Sequence, residues 1–132
     1  MKDQEVANII RKEEEKQQFK LSMIPSENFF SADVREAVCS VFIHKYAEGN
    51  VGKRYYEGNQ FVDQLELLTI ERAKKAFSLP EHWSVNVQAL SGSNANLAVY
   101  LTLLNIGDTI MGMSLAHGGH LTHGASVNVS GR

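Results

Sequence analysis

Two serines and a glycine form a candidate anion site in the middle of the chain. Ser91-Gly92-Ser93 follows a predicted strand over residues 83–90 and precedes a helix predicted over residues 94–104. The first N–H groups of a helix lack intrahelical partners, and the helix dipole adds positive potential at the same end. The small Gly92 and the two hydroxyls therefore favour a bound phosphate. A serine-rich helix cap without a ligand is the alternative.

Three histidines, His117, His120 and His123, recur at every third position near the end of the chain. Three imidazoles can ligate zinc. However, Gly118-Gly119 interrupts a helical face, and no Asp or Glu follows His117 to orient a ring. The sequence therefore predicts no metal site. An imidazole in a glycine-flanked loop can instead stack on a planar cofactor, which requires ring shape only.

Residues 45–60 combine three glycines, three tyrosines and five charged side chains, which is typical of a functional loop. The carboxylate of Glu48 lies near three phenols, and a carboxylate with a shifted pKa can donate or accept a proton. A dimer contact is the alternative. A nucleotide-binding P-loop is excluded, since the glycine spacing is too short and Arg54 stands where Ser or Thr must bind Mg²⁺.

Helical spacing predicts three helices before the first strand: a charged helix over residues 4–20, a second from the cap Ser31 to about residue 44, and a third over about 61–78 after Asn59. A second strand is predicted over residues 109–113, and no further helix after Ser114. Strand, helix, strand is the start of an α/β sheet. Two strands cannot cover the apolar helix between them, so we expect an incomplete domain.

Composition narrows the class of protein. The 132 residues carry a formal charge of −2, which excludes the basic face of a nucleic-acid binder. No apolar run is long enough to span a membrane, and no secretory leader precedes the first helix. The one cysteine, Cys39, is predicted to be a small buried apolar residue. These features predict a cytoplasmic protein.

Read in order, several strings resemble the serine hydroxymethyltransferase family. The resemblance runs from residue 21 almost to the end, through residues 25–28, 45–49, 52–56, 86–88, 91–96, 98–100, 107–109, 118–124 and 130–131. It implies a fold-type-I pyridoxal-phosphate enzyme with an aspartate-aminotransferase-like large domain, of which only the beginning is present. Residues 1–60 would form a helical arm and an active-site loop, and residues 61–132 the start of the cofactor-binding domain.

The resemblance also implies an activity: a homodimer that moves a one-carbon unit between serine and tetrahydrofolate, giving glycine and methylenetetrahydrofolate. By position, the phosphate of the cofactor would be held by Ser91, Gly92 and Ser93. His120 would stack on the pyridine ring. Glu48 would be the acid/base group near the serine hydroxyl and the folate.

The remaining roles that the resemblance implies concern the substrates and the second subunit. Tyr46 and Tyr56 would reach into the active site of the partner subunit, Tyr46 beside the cofactor and Tyr56 among the catalytic groups. Ser26 would bind the region of the substrate carboxylate. The folate site would be lined by Tyr55, Leu115 and Leu121.

The chain departs from the family at particular positions. Asn50-Val51 stands where Tyr-Pro is usual, and Glu57 stands where glycine is usual, which strains the backbone if φ is positive there. The lysine that binds the cofactor covalently lies in a threonine-rich stretch ending His-Lys, and the only such pair here is His44-Lys45, at a helix end. We therefore expect these residues alone to be inactive.

Two other functions stay open at this level. One is another fold-type-I lyase such as a threonine aldolase, although the loop over residues 45–56 favours the transferase. The other is a non-catalytic chain that acts only in subunit association.

Overall fold

The charged N-terminal segment forms the first helix, α1 (Gln4–Phe19), as its apolar spacing predicts. The computed structural model describes all 132 residues. Asp3 caps the helix, because one of its carboxylate oxygens accepts the N–H groups of Glu5 and Val6 at 3.0 and 3.1 Å. The helix belongs to the first of two compact units, Met1–Tyr46 and Ala47–Arg132.

The second helix, α2 (Ala32–Val38), starts at the predicted cap, with Ser31 Oγ accepting the Val34 N–H at 3.3 Å. Its predicted extension to residue 44 is wrong. A separate 3₁₀ turn covers Val41–His44, and Ser40 Oγ accepts the N–H of Phe42 at 3.5 Å. A serine side chain that bonds the nearby backbone competes with helix continuation. The predicted burial of Cys39 is also wrong, because its side chain is exposed.

The loop over residues 45–60 contains a short antiparallel hairpin, β1 (Gly49–Asn50) and β2 (Lys53–Arg54). Gly52 adopts a φ of +69° and Val51 does not, which is the pattern of a type II turn. Position 51 is then the turn position that favours proline, as in the family that the chain resembles. The left-handed backbone after the tyrosine pair falls on Gly58 (φ +76°), so Glu57 carries no such strain.

The third helix, α3 (Gln60–Ala76), follows Asn59 as predicted, although the Asn59 amide donates to Tyr56 O at 2.9 Å and does not cap the helix. The fourth helix, α4 (Gly92–Leu103), matches the predicted apolar helix to within two residues. After it the chain forms only 3₁₀ turns, at Leu115–His117 and Val129–Gly131.

The strands predicted over residues 83–90 and 109–113 are not formed, so the strand–helix–strand order is not observed. A strand requires a neighbouring backbone to complete its ladder, and β1 and β2 are the only paired segments. The alternation itself is present, since Val85 and Val87 are half-buried between exposed neighbours.

The chain buries no hydrophobic side chain, and its only buried residues are Asn59 and Thr122. On helix α4, Leu101 and Leu103 are 83% and 73% exposed. Such an apolar helix packs stably only against additional apolar surface. None of the helices has both the length and the apolar character that a membrane crossing demands.

Candidate functional site

Arg54 fastens the hairpin to helix α3. Its side chain is only 5% exposed, and its Nε donates to Asp63 Oδ1 at 2.8 Å while Nη2 donates to Glu66. Nη1 donates to the carbonyl oxygens of Ala47, at 2.9 Å, and of Gly49. A planar guanidinium can satisfy these acceptors together, which an ammonium cannot. We call this set of contacts the Arg54 clamp.

The ion pairs within the clamp shift the pKa values of Arg54 and Asp63. The Arg54 guanidinium, followed by the N–H of Gly52 at 3.0 Å, holds the pKa of the Asp63 carboxyl below its usual value. The hydrogen bond with Glu66 is the main cause that raises the pKa of Arg54. Asp63 and Glu66 are three residues apart on α3, so their carboxylates share one face of the helix.

The clamp is expected to open in acid. Because the folded-state pKa of Asp63 is depressed, its stabilisation is complete above the ordinary value of 3.8 and is lost as the pH falls through the lower folded value. The Gly52 amide signal, followed by NMR below pH 3.8, should lose its protection in the same step. The isosteric variant Asp63→Asn should abolish that step, and an unchanged acid transition in the variant would contradict the assignment.

Gln88 extends the clamp towards helix α4. Its side-chain amide donates to Gly49 O at 3.0 Å and to Glu66 Oε1 at 2.8 Å. Since Gln88 lies three residues before Ser91, the loop with Glu48 and the segment that leads into α4 are tied together within the second unit.

The first turn of α4 is open to an anion. Ser91 is the cap residue, but its side chain makes no capping hydrogen bond and its Oγ instead donates to Asn94 Oδ1 at 2.7 Å. No side chain therefore caps the first N–H groups of the helix. A Cβ built on Gly92 meets nothing within 4 Å, and both Ser91 and Ser93 are exposed. These residues fit a phosphate group, such as that of the cofactor which the resemblance implies.

The loop that carries His120 is attached to α4 through Thr122, which is 1% exposed. Asn96 Nδ2 donates to Thr122 Oγ1, and Tyr100 Oη donates to Thr122 O, both at 2.8 Å. His120 Nδ1 lies 2.8 Å from Thr122 Oγ1 and accepts the Thr122 N–H at 3.2 Å. The His120 loop is thus attached to α4 at Asn96 and Tyr100, which follow the open end of the helix in sequence.

The other two histidines support this loop. His123 Nδ1 accepts the His120 N–H at 3.1 Å, and the two rings meet edge to face at 5.8 Å. His117 Nδ1 lies 2.8 Å from Ser114 Oγ. No group of three or more His, Cys, Asp or Glu is placed to hold a metal ion.

The predicted site residues fall in both units. The second unit holds Glu48, Tyr55, Tyr56, Ser91, Gly92, Ser93, Leu115, His120 and Leu121. All nine are exposed, with Leu115 and Leu121 on either side of His120 in sequence. The first unit holds Ser26 and Tyr46; Ser26 lies in a turn closed by the Glu27 N–H and Ile24 O at 3.1 Å.

Sequence reasoning gave no role to the residues that position the site, namely Arg54, Asp63, Glu66, Gln88, Asn96 and Thr122. One signal was available: Asp63 and Glu66 share a helical face three residues apart, close after a basic loop. The partners of Gln88 and Thr122 are 22 to 39 residues away along the chain, so only the fold shows them.

Comparison with known proteins gives one consistent result. A family model described as serine hydroxymethyltransferase matches residues 1–131. A curated protein named serine hydroxymethyltransferase, from Desulfotalea psychrophila (strain LSv54 / DSM 12343), is 54% identical over 130 residues. The match covers 98% of this chain and 30% of that relative, so the chain spans less than a third of the relative's length.

Proposed function

Because this chain belongs to the serine hydroxymethyltransferase family, we propose that it supplies the N-terminal part of an enzyme that interconverts serine and glycine with tetrahydrofolate as the one-carbon carrier. The observation that carries the proposal is the 54% identity across 98% of the chain. The cofactor would be pyridoxal 5′-phosphate, and residues 61–132 would be the start of a fold-type-I large domain in a cytoplasmic homodimer.

The cofactor end of the site would be formed by α4 and the His120 loop. When bound, pyridoxal phosphate acts as an electron sink for the amino-acid substrate. The open N–H groups at Ser91, Gly92 and Ser93 would bind its phosphate, which the uncapped start of α4 supports. His120 would stack on its pyridine ring, and the bonds from Thr122 fix the orientation of that imidazole.

The substrate end would be formed by the clamped loop. Glu48 would hold or move the proton of the serine hydroxyl, a task that requires a carboxylate kept in place. The Arg54 clamp supports this role, because it bonds the carbonyl oxygens of both neighbours of Glu48. The folate would contact Tyr55, Leu115 and Leu121.

Two further groups of residues complete the proposal. Ser26 would bind near the substrate carboxylate. Tyr46 and Tyr56 would act in the active site of the partner subunit, which makes the homodimer part of the function. Tyr56 is 52% exposed and Tyr46 is 67% exposed. Both exposures are compatible with contacts to a second subunit.

The test uses the full-length protein, meaning the whole product of the reading frame that contains these residues. It is purified, loaded with pyridoxal phosphate and supplied with serine, with and without tetrahydrofolate. We expect glycine and methylenetetrahydrofolate in equal amounts, and no turnover by the 132 residues alone. Folate-independent cleavage of threonine without transfer from serine would instead identify an aldolase. Failure to bind the cofactor, with co-purification of a complete subunit, would identify an association module.

A further inference from the structure

The hydrogen bonds around His120 identify which of its ring nitrogens carries the proton. The backbone N–H of Thr122 points to His120 Nδ1 at 3.2 Å. A backbone N–H can only donate, so Nδ1 is the acceptor and carries no proton. The ring proton therefore lies on Nε2, for which the structure shows no hydrogen-bond partner within the chain.

The hydroxyl of Thr122 reinforces this arrangement. Asn96 Nδ2 donates to Thr122 Oγ1 at 2.8 Å, which leaves the hydroxyl hydrogen free to point at His120 Nδ1, also 2.8 Å away. The Asn96 amide therefore donates to the Thr122 hydroxyl, and this hydroxyl donates in turn to the His120 imidazole. Because Thr122 is 1% exposed, water cannot replace a lost partner in this network.

We propose that Thr122 is a positioning residue that fixes His120 in the tautomer with its proton on Nε2. The inference rests on the proposed function in one respect, that His120 stacks on the cofactor ring. The Nε2–H lies in the plane of the imidazole, so it leaves the face of the ring available for stacking on a planar ligand. A histidine whose other nitrogen is bonded in this way has both its tautomer and its ring plane set before the ligand arrives.

The experiment compares three variants of the full-length protein with the parent. Thr122→Val keeps the shape and loses the hydroxyl, Thr122→Ser keeps the hydroxyl, and Thr102→Val removes an exposed hydroxyl that only bonds Ala98 O within α4. Ring-¹⁵N-labelled histidine reports which nitrogen of His120 is protonated, with His120→Asn used to assign the signal. Titration of the apoprotein with pyridoxal phosphate reports affinity without turnover.

We expect an unprotonated Nδ1 in the parent, in Thr122→Ser and in Thr102→Val. In Thr122→Val only the longer bond from the backbone N–H, at 3.2 Å, still favours this tautomer, so we expect a partly protonated Nδ1. The cofactor Kd should rise roughly tenfold in Thr122→Val alone, as expected when the imidazole loses one of its two hydrogen-bond donors. A protonated Nδ1 in the parent would overturn the proposal, and this result needs no variant to fold. An unchanged tautomer and Kd in Thr122→Val would overturn it equally. The predicted tautomer in a protein that binds no cofactor would remove the proposed function and leave the role of Thr122 intact.

Discussion

Gly119→Ala is expected to displace His120 and to weaken cofactor binding. A Cβ on Gly119 would overlap the carbonyl oxygen of Met113, and it would lie 2.6 Å from Met113 C and 2.8 Å from Ser114 O. These are backbone atoms, which cannot rotate away as a side chain can. The turn closed by the Gly119 N–H and Ser114 O, at 2.9 Å, must then open.

The expected change in cofactor affinity follows from the free-energy cost of forcing an extra methyl group into a closely packed turn. We predict that Gly119→Ala raises the Kd for pyridoxal phosphate in the full-length protein by roughly a hundredfold. The neighbouring variant Gly118→Ala is the control, because its Cβ meets only Met113 Sδ at 3.9 Å. Its left-handed φ of +93° adds strain of about 1–2 kcal/mol. Equal affinities for the two variants would show that the close backbone approach does not position His120.

Loss of the Arg54 guanidinium is expected to release the loop that carries Glu48. Arg54→Met keeps much of the length of the side chain but leaves Asp63 and Glu66 as like charges one turn apart on α3. Folate-dependent turnover of the full-length protein should fall by roughly a hundredfold, since a small displacement of a catalytic group has effects of this size. Cofactor absorbance should stay unchanged, because Arg54 contacts neither α4 nor the His120 loop.

Two matched variants distinguish the hydrogen-bonding geometry of Arg54 from the positive charge of the hairpin. Arg54→Lys should rescue little of the activity, because one ammonium cannot bond two carboxylates and two carbonyl oxygens in the geometry that the guanidinium satisfies. Lys53→Met removes an exposed positive charge from the adjacent position of the same hairpin and should leave turnover close to that of the parent. If Lys53→Met and Arg54→Met reduced turnover equally, general charge in the loop would explain the effect and the clamp would not.

The helices could be predicted because their causes are local. The cap at Ser31 and the apolar spacing of α3 and α4 are local signals. The observed ends of α3 and α4 agree with the predicted ends to within two residues. The break at Ser40 depends on a single side-chain bond that spacing alone does not indicate. The two strands predicted over residues 83–90 and 109–113 are absent for a different reason. A β-ladder needs a neighbouring strand, which the alternation at Val85 and Val87 does not provide.

The features of the candidate site likewise divide into local ones, which the sequence indicates, and contacts between distant residues, which depend on the fold. The phosphate site at the start of α4 was predicted from two serines and a glycine between a predicted strand and a predicted helix. The strand is not formed, but the uncapped N–H groups of α4 are consistent with that hypothesis. The roles of Glu48 and His120 came from the resemblance and stay predictions. The Arg54 clamp and the Thr122 network join residues distant in sequence, so their existence depended on the fold.

The central claim, that the clamped loop acts on serine and folate while α4 and His120 hold the cofactor, is tested most directly by Glu48→Gln in the full-length protein. This change removes the proton-transfer group without changing its size. We predict that folate-dependent glycine formation falls at least about a hundredfold while the Kd for pyridoxal phosphate is unchanged, since general acid–base groups contribute this much. Glu57→Gln, an exposed carboxylate in the same loop, serves as the control. Turnover of Glu48→Gln equal to that of Glu57→Gln would contradict the account.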